Sequence, residues 1–323
     1  MAVATFGEAM AGRPVDLERS TDNGWKVIAS GNQDERGRVE FRAPFAAGSH
    51  RAVAREATKA GRTLPAVATV ESSRAGQWTL DFDEDFDGSS LDSKHWSPRQ
   101  TGAYFGARMC SAPYPSMTRV KDGSWFGSVR RSSKARTREV ARNTARQQGV
   151  PVADACPNGV WDAAMVSTEG KYSFKYGIAA VRAKFPVQSG VHGSAWLQGS
   201  DDAGVEIDFI ETFGPKYGIQ HKVHYRKNGK LSSLGGYVKS LPAVKTRDWW
   251  DAYHVISVEW TPDEYVFRVD GVETFRTKEG ISQGQQFVVL SLLASDWELG
   301  RVIPADMPAT LTVDWIRVWQ QRS

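Results

Sequence analysis

Cysteine is scarce: two in 323 residues, Cys110 and Cys156, which excludes a disulfide-dense scaffold and allows one bridge at most. Their separation is not a C-x-x-C metal spacing, and both lie in loop-like sequence rich in Pro and Gly. Pairing is the expectation, with free thiols as the alternative. No run of about 18 apolar residues exists, so no segment has the length and composition of a spanning helix. The opening Met1-Ala2-Val3-Ala4-Thr5-Phe6 lacks the basic start and apolar core of a signal peptide. The protein therefore stays inside, or the chain begins downstream of its export signal. No internal repeat period appears. A net charge of +4 and a pI of about 9.0 are too mild to argue for nucleic acid. What is abundant is tryptophan, twelve in all. Sugars present flat C–H faces that pack well on indole, so a Trp-rich β-protein suits carbohydrate, although about half or more of these are expected to be structural.

One stretch stands out: Glu206-Ile207-Asp208-Phe209-Ile210-Glu211. Along a strand, alternate side chains share a face, so Glu206 and Asp208 face one way while Ile207 and Phe209 face the core. Regular pairing would then send Glu211 into the apolar face as a buried, costly charge. An extra residue at Phe209 or Ile210, a β-bulge, returns Glu211 to the side of the other acids. Glu206 and Glu211 would then be about 13 Å apart between Cα atoms, at ~3.3 Å per strand step. Two long side chains leaning over the shorter Asp208 could close this to the ~5–5.5 Å used by retaining glycosidases. A solvated acidic edge is the alternative, and it gains nothing from three mutually repelling acids.

Around this stretch the chain reads as all-β. Residues 1–75 suggest a small β-sandwich, with strands over 14–19, 25–29, 38–42 and 50–55 separated by turns such as Asp22-Asn23-Gly24. Trp25 is placed in its core, and 57–66 as a return loop or linker. A second domain, 76–323, carries dense strand signals of an antiparallel sandwich of jelly-roll type. It is interrupted by a basic run of Arg130, Arg131, Lys134, Arg136, Arg138, Arg142 and Arg146. This run reads as a solvated, mobile insertion, helical over 139–148; the functional alternative is a patch for an anionic glycan or wall polymer.

These residues together resemble glycoside hydrolase family 16 over residues 76–323. The resemblance is carried by Asp83-Glu84-Asp85-Phe86-Asp87-Gly88, by Lys171-Tyr172-Ser173-Phe174-Lys175-Tyr176-Gly177, and by Glu259-Trp260-Thr261-Pro262 with Asp270-Gly271. The closing Leu311-Thr312-Val313-Asp314-Trp315-Ile316-Arg317-Val318-Trp319 and the acidic strand complete it. The extra residue before Glu211 resembles the bulged, laminarinase-like branch of that family. Residues 12–41 similarly resemble an immunoglobulin-like accessory module, which could bind polysaccharide and is read here as a spacer. The resemblance implies a concanavalin-like jelly roll, Glu206 as nucleophile, Glu211 as general acid then base, and Asp208 between them, hydrogen-bonding Glu206 and supplying negative charge that favours protonated Glu211. It implies Trp196 as a sugar platform and His224 as a cleft histidine, with a structural role the alternative for each. Arg182 either reaches the same subsite or pairs with a structural acid, and Trp297 is a further cleft candidate.

Two departures bear on the polymer. His192-Gly193-Ser194 stands where laminarinase-like members carry a Trp-Pro pair, and Leu292-Leu293-Ala294-Ser295-Asp296-Trp297-Glu298 replaces a Gly-rich loop. The reading is a retaining endo-β-glycan hydrolase acting on β-1,3-linked glucan. Transglycosylation, a galactan substrate, or a non-catalytic lectin-like binder are the alternatives. A polysaccharide partner, no nucleic acid, no membrane span, a monomer and an extracellular or wall-associated location are expected. No cofactor or metal is implied, and a structural calcium is left open.

Overall fold

The computed structural model describes residues 2–6, 9–41, 48–68, 78–99, 107–199 and 205–321. The expected boundary near Gly76 lies outside the described residues. The larger part is a jelly-roll sandwich of two antiparallel sheets. One runs, neighbour to neighbour, from Lys230–Tyr237 through Ile219–Lys227, Glu206–Thr212, His192–Gly199 and Gln286–Leu293 to Trp161–Ser167. The other runs from Val272–Thr277 through Tyr265–Val269, His254–Trp260 and Gly177–Lys184 to Ala309–Gln321. Ser124–Arg131 pairs with both Trp161–Ser167 and Ala309–Gln321 and stitches the sheets along one edge.

Alternation sets the core. Ala195, Leu197, Ile207 and Val223 from the first sheet meet Ala179, Val181, Ile256, Val258 and Phe267 from the second, all buried in one cluster. Gln286–Leu293 is buried at every position, which explains why its sequence lacks a polar phase. Two hairpins close on Asn228-Gly229 and Asp270-Gly271, with φ positive at both residues of each pair, as two-residue turns between twisted strands require.

The N-terminal part holds a four-stranded sheet, Gly24–Asn32, Pro14–Thr21, His50–Ala54 and Val67–Ala68, and a two-stranded one, Ala2–Thr5 with Arg38–Phe41. Val15, Leu17, Val39, Phe41, Ala52 and Ala54 form their shared core. Trp25 is not in that core: it is half-buried, with the Arg51 guanidinium 4.2 Å from its ring centre. The segment expected as a loop over 57–66 contains a short hairpin, Ala57–Lys59 with Arg62–Leu64.

This unit rests on the outer face of the second sheet. Arg38 donates to the Tyr253 carbonyl at 2.6 Å and pairs with Asp270 at 3.0 Å, and Thr5 donates to the Asp270 carbonyl at 2.7 Å. A Cβ on Gly271 would meet the Val3 carbonyl at 2.5 Å, so this turn admits the contact only as glycine. Burial alone would raise the Asp270 carboxyl, but the His254 hydrogen bond and the His254 and Arg38 charges hold it below its ordinary value.

The expected bridge forms between Cys110 and Cys156. The basic run is not a loose insertion. A helix spans Lys134–Gln148, longer than the sequence suggests, capped by Ser133 and by Gly149 at φ 68°. The cap signals mark both ends; the low hydropathy between them hides the helix.

Candidate active site

The phase break in the acidic strand is a bulge. Trp196 stands opposite Asp208 and Ala195 opposite Ile210, so Phe209 has no partner on that side. On the other side Lys222 pairs with Asp208 and Gln220 with Glu211, leaving His221 alone to face two residues. Phe209 and Ile210 both turn inward, fully buried, and Glu211 rejoins Glu206 and Asp208 on the opposite face. His221 holds this geometry from beneath. Its Nδ1 lies 2.8 Å from the Phe209 carbonyl and its Nε2 2.8 Å from the Thr274 hydroxyl of the facing sheet. A neutral ring satisfies both, Nδ1 donating and Nε2 accepting. Burial pushes its pKa down to about 4, which keeps it neutral.

Opposite residues in an antiparallel pair share a face, so register names the rest of the site. Gln198, Trp196 and Ser194 line one flank of the acids, and His224, Lys222 and Gln220 the other. Trp196 is half-buried, its indole donating to the Ser291 hydroxyl at 3.2 Å. His224 brings Nε2 to 3.8 Å from Glu206 and 3.6 Å from Asp208. Burial, then Lys222, lowers its pKa. Ligand atoms of Glu206, Asp208 and His224 all lie within 4.8 Å of one another, a spacing at which a cation could be held. Gln220 donates to one oxygen of Glu211 at 2.6 Å, which leaves the other oxygen to carry a proton.

Burial, reinforced by the charge of Glu211, raises Glu206 to about 7, with Arg108 pulling against both. Asp208 is buried, and burial, then Glu206 and Glu211, drives its pKa well above the ordinary aspartate range. This raised proton affinity works against the negative charge expected of Asp208 from the sequence.

Sequence reasoning missed Arg108. It sits in loop sequence without periodicity, yet its side chain reaches this face, where burial lowers its pKa against the charges of Glu298, Glu206 and Glu211. Beside it, His192 meets Glu298 at 2.5 Å, and the same Glu298 oxygen accepts from the Ser295 amide at 2.8 Å. His192 stacks on Phe213 with centroids 5.7 Å apart, and Phe213 lies 6.2 Å from both Tyr237 and Trp297. Trp297 is 56% exposed and belongs to this aromatic group at the Glu211 end. Gln220 and Tyr237 become visible only once strand pairing is known.

Arg182 is not brought to the site. It shares a face with Ala180, the face turned away from the acidic strand, and pairs with Glu40 at 3.1 Å and Asp314 at 2.7 Å. The structural alternative for this residue is the one that the fold realises: it ties the N-terminal unit to the sandwich.

Two glutamates set on one face of a jelly-roll sheet by a bulge, with an aromatic floor beside them, define a glycoside hydrolase by class. The chain belongs to the glycosyl hydrolases family 16, whose pattern matches residues 125–317, more than half of its length. It is 24% identical over 276 residues to glucan endo-1,3-beta-glucosidase A1 of Niallia circulans, covering 75% of this chain and 38% of that protein. It is 26% identical over 172 residues to the keratan-sulfate endo-1,4-beta-galactosidase of Sphingobacterium multivorum, covering 48% and 39%. The chain thus spans well under two thirds of these relatives' lengths. In structure it is similar to the endo-beta-1,3-glucanase from Pyrococcus furiosus, with a TM-score of 0.59 at 20% identity, covering 77% of this chain and 97% of that one.

Proposed function

We propose that the chain is an endo-acting hydrolase of β-1,3-linked glucan that works with retention of anomeric configuration. The observation that carries this reading is the bulge, which puts Glu206 and Glu211 on one face across Asp208. Glu206 attacks the anomeric carbon as Glu211 gives its proton to the departing glycosidic oxygen, forming a glycosyl ester on Glu206. Glu211, now a carboxylate steadied by Gln220, takes a proton from water, which opens the ester and regenerates both groups. Asp208 sits between them as a proton holder. Arg108 stabilises Glu206 as a carboxylate, Trp196 floors the sugar beside it, and the Phe213, Tyr237 and Trp297 group receives the leaving-group side. A sugar hydroxyl in place of water would give transglycosylation by the same steps. The disulfide supports an extracellular setting.

A galactan substrate is the second reading. It is favoured by the His192, Glu298 and Arg108 cluster occupying the place of an expected indole platform, and by the likeness to a keratan-sulfate galactosidase. Wild type, Glu206→Gln and Glu211→Gln are to be assayed on a panel of β-glucans and galactans. Activity of wild type on a β-1,3-glucan, lost in both variants, is expected. A variant at near-full rate overturns the assignment. NMR of early product is expected to show the β-anomer first, and initial α-anomer overturns retention.

A further inference from the structure

Residues 130–148 hold seven positive side chains and one negative, Glu139: a surplus of six, where the whole chain's is four. The remainder of the chain is therefore net negative by two. This concentration sits on a rigid mount. Val140, Thr144 and Ala145 of the helix are buried, the Thr144 hydroxyl donates to the Met109 carbonyl at 2.8 Å, and the Cys110–Cys156 bridge closes the base. Arg138, Arg142 and Arg146 recur every four residues and are exposed, forming one stripe with steps of about 6 Å. Among the described residues, Arg136 alone of the basic run stands in an ion pair, at 2.6 Å from Asp162. At the start of the helix lies a cavity of about 550 Å³ lined by Tyr114, Arg130, Arg131, Arg136, Glu139 and Asp162, among others. That is the size of a small-ligand site, large enough for a sugar unit.

We infer that this face is a second binding surface, separate from the acidic cleft, for an anionic polysaccharide bearing carboxylate or sulfate groups. Guanidinium groups carried on an anchored helix suit both anions, because a planar donor fork matches their oxygen pairs. The alternatives fit less well. Apart from Ala135, the exposed residues of the helix are all charged or amide side chains, so there is no large apolar residue to enter a bilayer and no aromatic one to stack on a base. The Tyr114 ring is covered by Arg136, 4.1 Å away. An anionic polymer would be drawn to this face while the acids of the cleft repel it, so the surface would hold the protein on a charged matrix during work on another chain.

The whole protein is to be titrated with a sulfated dextran, a polyuronate and neutral dextran, at low and moderate salt. Wild type is expected to bind one or both anionic polymers, more weakly as salt rises, and not the neutral one. The variant Arg138→Gln/Arg142→Gln/Arg146→Gln is expected to lose at least tenfold in affinity, and Arg142→Glu several-fold, with β-glucan hydrolysis within twofold of wild type. Binding to only one of the two polymers identifies the anion. Unchanged affinity in both variants overturns the proposal. So does tighter binding to duplex DNA or to phosphatidylglycerol vesicles than to either polymer, which would make this a phosphate-reading surface. Because binding is read directly, an inactive cleft would leave this result intact.

Discussion

The acidic strand and the basic helix are opposite treatments of crowded charge. In Glu206–Thr212, three carboxylates are pressed onto one partly dry face, where burial and mutual repulsion raise the proton affinity of Glu206 and Asp208. In Lys134–Gln148, the cations are spread on a solvated surface and stay apart. Crowding in a low-dielectric site makes proton affinity adjustable, and so makes acid–base chemistry; crowding in water leaves a field that attracts a partner. The first arrangement needs a supporting residue beneath it. The second needs only a stiff backbone.

The comparison is broken most directly at the carboxylates. Glu206→Gln and Glu211→Gln are each expected to lower kcat on the best β-glucan by on the order of 10³-fold or more, read by reducing-sugar release, with the fold retained by circular dichroism. The support is tested next. His221→Leu leaves the Phe209 carbonyl and Thr274 without their partner, so the bulge relaxes; kcat is expected to fall by about 10–100-fold with little change in KM.

For the helix, the equivalent cut is the disulfide. Closing 46 residues of separation is worth about 4 kcal/mol in the chain-entropy account, so Cys110→Ser/Cys156→Ser is expected to lower Tm by several degrees in calorimetry. The smallest effect concerns the raised carboxyls. Asp208 and Glu206 bind protons more tightly folded than unfolded, so their stabilising contribution is complete below about pH 4 and is lost as pH rises through their folded values. Asn mimics protonated Asp at every pH. Asp208→Asn is expected to match wild type in Tm near pH 4 and to exceed it by a margin that widens toward pH 8. His221 pulls the other way, since its lowered pKa gives stability that is present above about pH 6.5 and fades as pH falls toward about 4. An acid-side loss of Tm that persists in His221→Leu would remove that residue as its source.

Much of the active face was legible because alternation failed at one point. A six-residue strand with an acid on the wrong side can be mended only by a bulge, and the mend names the face that all three acids share. Arg182 was not legible. Period two shows that it shares a face with Ala180, but not which face of that sheet meets the core, and the partner that decides it, Glu40, is 142 residues away. Arg108 was hidden for another reason: its loop has no period, and its place at the acids depends on Asp296, which accepts from the Met109 and Cys110 amides. Trp25 misled because indole is ordinarily core material, and here an arginine shields it.

The seat of the N-terminal unit on the Asp270-Gly271 turn carries a practical consequence. Ala180, Val255 and Trp315 form a small apolar cluster on the outer face of the second sheet, with Val3 of the N-terminal unit packed against it. Trimming the chain to begin near residue 76 would uncover that cluster and take Glu40 from Arg182 and Arg38 from Asp270, leaving each with one partner fewer. A catalytic fragment prepared that way would be sticky and poorly soluble, and an activity lost in it would say nothing about sugar binding by the missing part. The seam along the chain and the seam through space fall in different places, and a minimal enzyme has to be cut along the second.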